Sequence, residues 1–157
     1  MAFLIPVTQS FIRPDMIYTE VSVKIRKRGE RKLNFVLDPR ASGLSKVLKD
    51  YQCEVLRFIW KNEGKGLTSR MVYFNVNERL DGGKSISRAS IINFLNAMVD
   101  EGVFDYVEET GKGGYHRVYS AKLDEAGFKR SLAESFVSSL MKDFPEETIG
   151  VLKEYFE

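Results

Sequence analysis

The spacing of apolar residues changes along the chain, and each change predicts a different kind of element. Between Met16 and Lys27 apolar and polar residues alternate, which is typical of a β-strand. The following Arg28-Gly29-Glu30 can turn the chain into a second strand over Arg31–Leu37. The pattern predicts an N-terminal arm and basic β-hairpin over residues 1–43. The hairpin cations are interpreted as a solvated tip, with phosphate contact as the alternative.

From Val47 onward the apolar residues recur every three or four positions, which predicts amphipathic helices. The first helix runs to Trp60, the second begins at Thr68 or Ser69, and the third begins at Ser85 or Ser87. Inward positions are expected on the second helix at Met71, Val72, Phe74, Val76 and Leu80, and on the third at Ile91, Leu95, Met98 and Val99. The outer side of the third helix is expected to carry Ser90, Asn93 and Ala97.

Two short apolar runs follow the third helix, which Gly102 ends. Val103–Glu108 and Tyr115–Ser120 are predicted to be paired strands. Between them the chain reads Thr-Gly-Lys-Gly-Gly, whose three glycines supply the backbone freedom of a tight tip. Three helices followed by a two-stranded ribbon predict an α+β fold, a winged helix-turn-helix domain over residues 44–123.

The tail, residues 124–157, returns to helical spacing, and a second helix is expected to begin near Pro145. Its apolar residues would leave a large exposed stripe on a complete winged-helix domain, so we predict that they form a homodimer interface. Folding back onto the domain is the alternative. The predicted dimerisation residues are Phe128, Leu132, Phe136, Leu140, Phe144 and Leu152.

Composition narrows the class of protein. Hydrophobic residues make up 43% of the chain, which is enough for a core, and no apolar run approaches the length of a membrane span. Cys53 is the only cysteine, which suits a reducing cytoplasm. Net charge is +4 over residues 1–45, +2 over residues 46–122 and −4 over residues 123–157. A basic front and an acidic tail are compatible with a nucleic-acid partner, but equally with ordinary surface charge.

The candidate chemistry is recognition of double-stranded DNA. Asn93 can pair with an adenine edge, and Arg88 with guanine or a phosphate. The residues predicted to face DNA are Ser87, Arg88, Ser90 and Asn93 on the helix, and Lys112, His116 and Arg117 on the wing. No arrangement of nucleophile and base, phosphate-binding loop or ligand cluster is present, so neither an enzyme nor a metal or other cofactor is predicted.

Two segments resemble the penicillinase-repressor (BlaI/MecI) family of winged-helix transcriptional regulators. Glu54–Trp60 is similar to the family's opening-helix pattern, which begins Glu-Val-(Leu/Met) and ends in an aliphatic residue and tryptophan. Ile86–Leu95 is similar to its recognition helix, Trp-Ser-x-x-Thr-(Ile/Val)-x-x-x-Leu. Phe144-Pro145-Glu146-Glu147 resembles the start of its dimerisation segment. The resemblance implies a homodimer that binds a palindromic operator and blocks transcription.

The chain departs from the family pattern in three places. Ile86 stands where the family has tryptophan, and Arg88 is the only cation of the third helix. The first fifty residues have no counterpart in the family. Apart from these departures, the C-terminal cysteine cluster of the copper-responsive relatives is absent, so copper sensing is not expected. The scarcity of cations supports an alternative function, a winged-helix module of the transcription machinery that binds protein and does not read DNA. No recognisable motif in the sequence identifies the operator, the regulated genes or any small-molecule or protein effector.

Overall fold

A computed structural model describes residues 35–80 and 82–157, all of which belong to one compact unit, Arg31–Glu157. A short 3-10 helix, Gly43–Lys46, precedes helix α1. The elements that follow are α1 Asp50–Lys61, β1 Leu67–Thr68, α2 Ser69–Arg79, α3 Arg88–Asp100, β2 Phe104–Gly111, β3 Gly114–Ala121, α4 Glu125–Asp143 and α5 Pro145–Phe156. This order confirms the predicted α+β fold with a winged helix. The division into units at residues 43 and 123 stays a prediction.

Helices α2 and α3 begin where hydroxyl side chains satisfy free backbone N–H groups. Thr68 Oγ1 accepts from the Met71 amide at 3.3 Å, and Ser87 Oγ accepts from the Ser90 amide at 3.1 Å. Helix α3 ends at Gly102, whose φ of +74° is a left-handed conformation that glycine adopts without strain. Local sequence therefore determines both ends of the predicted recognition helix.

The core lies where α3 packs against α1, α2 and β2. Its most deeply buried side chains are Val55, Leu56, Ile59, Val72, Val76, Ile91, Phe94, Leu95, Met98, Phe104 and Phe128. Because α3 is covered from several sides, its buried face is wider than one stripe, and Ala97 is 3% exposed. The expectation that Ala97 lies on the outer side was wrong.

Helix α2 also differs from its predicted pattern. Val72 and Val76, four residues apart, are fully buried, whereas Met71 and Phe74 are 49% and 52% exposed. Apolar residues at both sets of positions cannot share one face of a helix with 3.6 residues per turn. The expectation that Met71 and Phe74 point inward was therefore wrong.

A three-stranded antiparallel sheet in the order β1-β3-β2 closes the domain. The wing strands are longer than predicted, because the register runs from Phe104 opposite Ala121 to Gly111 opposite Gly114, leaving a two-residue tip. Among the tip glycines, Gly114 has a positive φ of +94°, while Gly111 and Gly113 do not. The two residues of β1, paired with β3 at Tyr119 and Val118, were too few to give a strand pattern.

The N-terminal arm and most of the predicted hairpin lie outside the described residues. The described end of the predicted returning strand, Phe35–Leu37, has no regular secondary structure. Phe35 instead packs edge-on against Phe128, with ring centroids 6.2 Å apart. That part of the strand prediction was wrong, because Phe35 contributes to the core and not to a ladder of backbone hydrogen bonds.

Candidate nucleic-acid interface

The first half of α3 presents a polar, small-residue surface to solvent. Ser87, Arg88, Ala89 and Asn93 are exposed, and Ser90 is half-buried. The buried residues of α3, with Ile91 and Leu95 fully inaccessible, fix the helix so that this side points outward. Short side chains on an outward face allow a helix backbone to approach a DNA groove closely.

Ser87 and Ser90 form a local pair at the start of α3. Their hydroxyl oxygens are 2.9 Å apart, and Ser87 Oγ also accepts the Ser90 amide hydrogen. A cap of this kind stabilises a helix by about 1 kcal/mol. Ser87 therefore orients the helix in addition to any contact it makes with a ligand.

Arg88 joins the starts of two helices. Its Nη2 lies 3.4 Å from the Ser69 hydroxyl, so the first residue of α3 lies beside the first residue of α2. Arg70 is exposed one residue further along α2. The two helix N-termini and the Arg88 guanidinium make a positive region suited to phosphate, and the Arg70 guanidinium lies one turn further along α2, over the Phe74 ring. Sequence reasoning missed Ser69 and Arg70, although the Thr68 cap marked this helix start.

On the wing, acidic residues of the facing strand lie close to Arg117 and His116. Glu108 lies opposite Arg117 and Glu109 opposite His116 in the strand register. The Arg117 Nε to Glu108 Oε1 distance is 3.7 Å, and the His116 Nε2 to Glu109 Oε2 distance is 3.8 Å. Within residues 104–121, all of them described, Lys112 is the cation that forms no ion pair.

Arg117 also faces α3. Its Nη1 donates to Asn96 Oδ1 at 2.9 Å, and its guanidinium carbon lies 4.1 Å from the centre of the Tyr106 ring. The structure therefore brings Arg117 to the recognition helix, whereas the sequence placed it with Lys112 and His116 at the wing surface. Asn96 was missed, although it lies three residues after Asn93 and so close to the same side of the helix.

The six predicted dimerisation residues divide into two groups. Phe128 is 2% exposed, with its ring centre 5.8 Å from that of Trp60, and Leu132 packs at the margin of the core. Leu140 and Phe144 are 49% and 57% exposed, and Phe136 and Leu152 are half-buried. Further exposed apolar residues on α4 and α5 are Val137, Ile149, Val151, Tyr155 and Phe156. The uncovered apolar surface therefore lies at the C-terminal end.

The described residues give no support for metal binding or membrane insertion. No three His, Cys, Asp or Glu side chains in residues 35–80 and 82–157 are placed to hold a metal ion. Nor does any helix of this described part have the length and apolarity to cross a bilayer. A cavity of about 200 Å³ beside Cys53 is lined by both acidic and basic groups, including Glu54, Arg57 and Arg79.

A helix-turn-helix whose second helix points outward, followed by a two-stranded wing, defines the winged-helix class of DNA-binding proteins. The family model described as penicillinase repressor matches residues 48–154, well over half of the chain. The chain belongs to the penicillinase repressor family. Membership implies a DNA-binding transcriptional repressor, and the family is one of transcriptional regulators and not of enzymes. A comparison with curated proteins finds no significant match.

Proposed function

We propose that the protein represses transcription as a homodimer bound to a palindromic operator. The observation that carries this proposal is the outward start of α3 with the N-terminus of α2 beside it. In this arrangement α3 enters the major groove, and the two helix starts bind phosphates on its edge. Family membership gives the general function, that of a transcriptional repressor that binds DNA.

Each exposed residue of this interface is given a role by its chemistry. Asn93 reads an adenine edge, and Arg88 pairs with guanine or a phosphate next to Ser69. The hydroxyl groups of Ser87 and Ser90 contact the backbone. On the wing, Lys112 supplies most of the phosphate attraction. The contribution of His116 is smaller, because Glu109 offsets its charge whenever the imidazole is protonated.

The homodimer proposal rests on the apolar surface of α4 and α5. Leu140, Phe144 and Val151 are each about half-exposed in the single chain. A two-fold interface would cover them, because each copy presents the same surface to the other. Two copies of α3 would then meet half-sites about one helical turn of DNA apart. Pairing also compensates for a recognition helix whose only cation is Arg88.

Selection of genomic DNA fragments by the purified full-length protein at low salt tests this function directly. We expect enriched fragments to share an inverted repeat, because a symmetric dimer binds a symmetric site. Failure to enrich any fragment would contradict DNA recognition. Recovery of a stoichiometric protein partner, with no DNA bound, would instead support the protein-interaction function.

The roles of Arg88 and Lys112 are separable by mutation. Arg88→Ala should reduce discrimination between the selected duplex and a random duplex by roughly 10-fold, since one good base contact is worth about 1–3 kcal/mol. Lys112→Ala should weaken binding to both duplexes alike. It should also lower the slope of log affinity against log salt by about one. Affinities measured by fluorescence anisotropy over a salt series test both roles. Equal losses on both duplexes from both changes would contradict the assignment.

A further inference from the structure

A single oxygen connects the recognition helix to the wing. Asn96 Oδ1, on α3, accepts hydrogen bonds from Arg117 Nη1 and from Tyr119 Oη, each at 2.9 Å. Both donors belong to β3, which also pairs with β2 to form the wing. The contact joins residues 21 and 23 positions apart in the chain. It is therefore a tertiary connection between two elements that both face DNA in the proposed function.

The Arg117 guanidinium is held on three sides. Asn96 accepts one of its hydrogens, Glu108 faces its Nε, and its guanidinium carbon lies over the Tyr106 ring. A planar guanidinium can stack and donate in two directions at once, whereas a lysine ammonium cannot. This arrangement orients Arg117 within the protein, so that its charge is directed toward α3 and β2.

The second donor is equally well defined. Tyr119 is 2% exposed, and burial is the main cause that raises the pKa of its hydroxyl above the ordinary value. The hydroxyl is therefore protonated at neutral pH and available to donate to Asn96. An acceptor with two fixed donors holds β3 at one position along α3.

We propose that Asn96 and Arg117 are positioning residues, which set the wing against the recognition helix so that Lys112 and Asn93 meet the same duplex in register. The inference deepens the proposed function and rests on it. Arg117 acts through Asn96 and Tyr106 and makes no direct phosphate contact. The wing tip is two residues long and lies beyond this connection, so its placement depends on the base of the ribbon.

The first test compares Arg117→Ala with Arg117→Lys in the full-length protein, using the duplex enriched in the genomic selection. A positioning role predicts that both variants lose about tenfold in affinity, because lysine keeps the charge but not the planar contacts. Both variants should also lower the salt slope by about one, because a displaced wing no longer brings Lys112 to its phosphate. If Arg117→Lys instead retains both the affinity and the salt slope of the wild type, the charge of residue 117 is sufficient, Arg117 is a phosphate contact and the proposal is overturned.

The second test is a double-mutant cycle between Asn96 and Lys112. If Asn96 positions the wing, Lys112→Ala should weaken binding about tenfold in the wild type but only about twofold in Asn96→Ala. Additive losses would overturn the inference. Loss of folding stability alone gives no such coupling, provided that thermal unfolding shows Asn96→Ala to be folded at the assay temperature.

The two proposals fail in different ways. Wild-type protein that binds neither the selected duplex nor a random duplex overturns the proposed function, and the positioning role with it. Wild-type protein that binds while Asn96→Ala binds equally well, with the full Lys112 effect, overturns only the positioning role. Hydroxyl-radical footprints test the positioning role separately. If it holds, Asn96→Ala should lose the DNA protection due to the wing and retain the protection due to α3.

Discussion

At the scale of single residues, Cys53 shows how burial changes chemistry. Its side chain is 1% exposed, and Sγ lies 4.0 Å from the Leu48 carbonyl oxygen. Burial raises the pKa of the thiol above its ordinary value of 9.0, although a hydrogen bond with Ser45 and the charge of Arg57 partly oppose the shift. Burial likewise raises the pKa values of Tyr51 and Tyr119 above 10.0. In the folded chain these groups therefore favour their neutral forms.

This burial predicts a loss of stability at alkaline pH. The folded state holds these protons more tightly than the unfolded state. Their contribution to the free energy of unfolding is therefore complete below about pH 9 and is lost as the pH rises through the raised pKa values. Urea unfolding between about pH 7 and pH 10.5 should show this decline. The free energy of unfolding should fall less steeply with pH in Cys53→Ala than in the wild type. A stability that rises over this range would contradict the prediction.

At the scale of elements, one amide side chain holds the turn between α2 and α3. Asn77 Oδ1 accepts from the Ile86 amide at 2.8 Å, and its Nδ2 donates to the Ile86 carbonyl at 3.2 Å and to the Tyr73 carbonyl at 2.9 Å. Ile86 directly precedes the Ser87 cap. Asn77 therefore sets where the recognition helix begins.

Removing that amide should loosen the turn. We expect Asn77→Ala to lower the free energy of unfolding by about 1–3 kcal/mol, because the Ile86 backbone groups lose their partners. Amide hydrogen exchange at Ile86 should also become faster. Glu78→Ala, an exposed change on the same helix, is the control and should stay within about 0.5 kcal/mol of the wild type. Unchanged protection at Ile86 in Asn77→Ala would show that the turn is held by other contacts.

At the scale of the whole molecule, one part of the tail belongs to the core and another part forms an exposed apolar surface. The helical spacing of its apolar residues is the same in both parts. Trp60 Nε1 donates to the Leu123 carbonyl at 2.9 Å, and Phe128 fills the space beside the indole. The start of α4 therefore belongs to the core, whereas its second half and α5 carry the exposed apolar residues assigned to the proposed dimer.

Substitutions in these two regions should have different effects. Leu140→Glu should convert the protein to a monomer and remove the dependence of the unfolding temperature on protein concentration. Phe128→Ala should instead destabilise the chain by about 3–5 kcal/mol. Sedimentation equilibrium and thermal unfolding at several concentrations distinguish the two. Ser138→Glu, which adds the same charge on the opposite side of α4, is the control and should remain dimeric. A Leu140→Glu dimer would contradict the proposed interface.

Local sequence patterns determined the helices, the caps of α2 and α3, the wing and the family. Hydroxyl residues at Thr68 and Ser87 and the glycine at position 102 act on backbone groups a few residues away, so their effects could be read without a structure. The helix residues expected to face DNA were predicted from the helical period, and the wing residues from the positions of its cations. Their contacts with DNA stay a prediction, and for Arg117 the proposed positioning role replaces a phosphate contact.

Tertiary packing decided which partner each side chain meets. A helical period places Met71 and Val72 on neighbouring sides, but only the position of α1, α3 and the sheet determines which side is buried. Tertiary packing likewise placed Phe128 in the core and turned Arg117 toward Asn96. The physical reason is distance along the chain, because periodicity reports only local geometry. Contacts such as Trp60 with Leu123, 63 residues apart, exist only once the elements have packed.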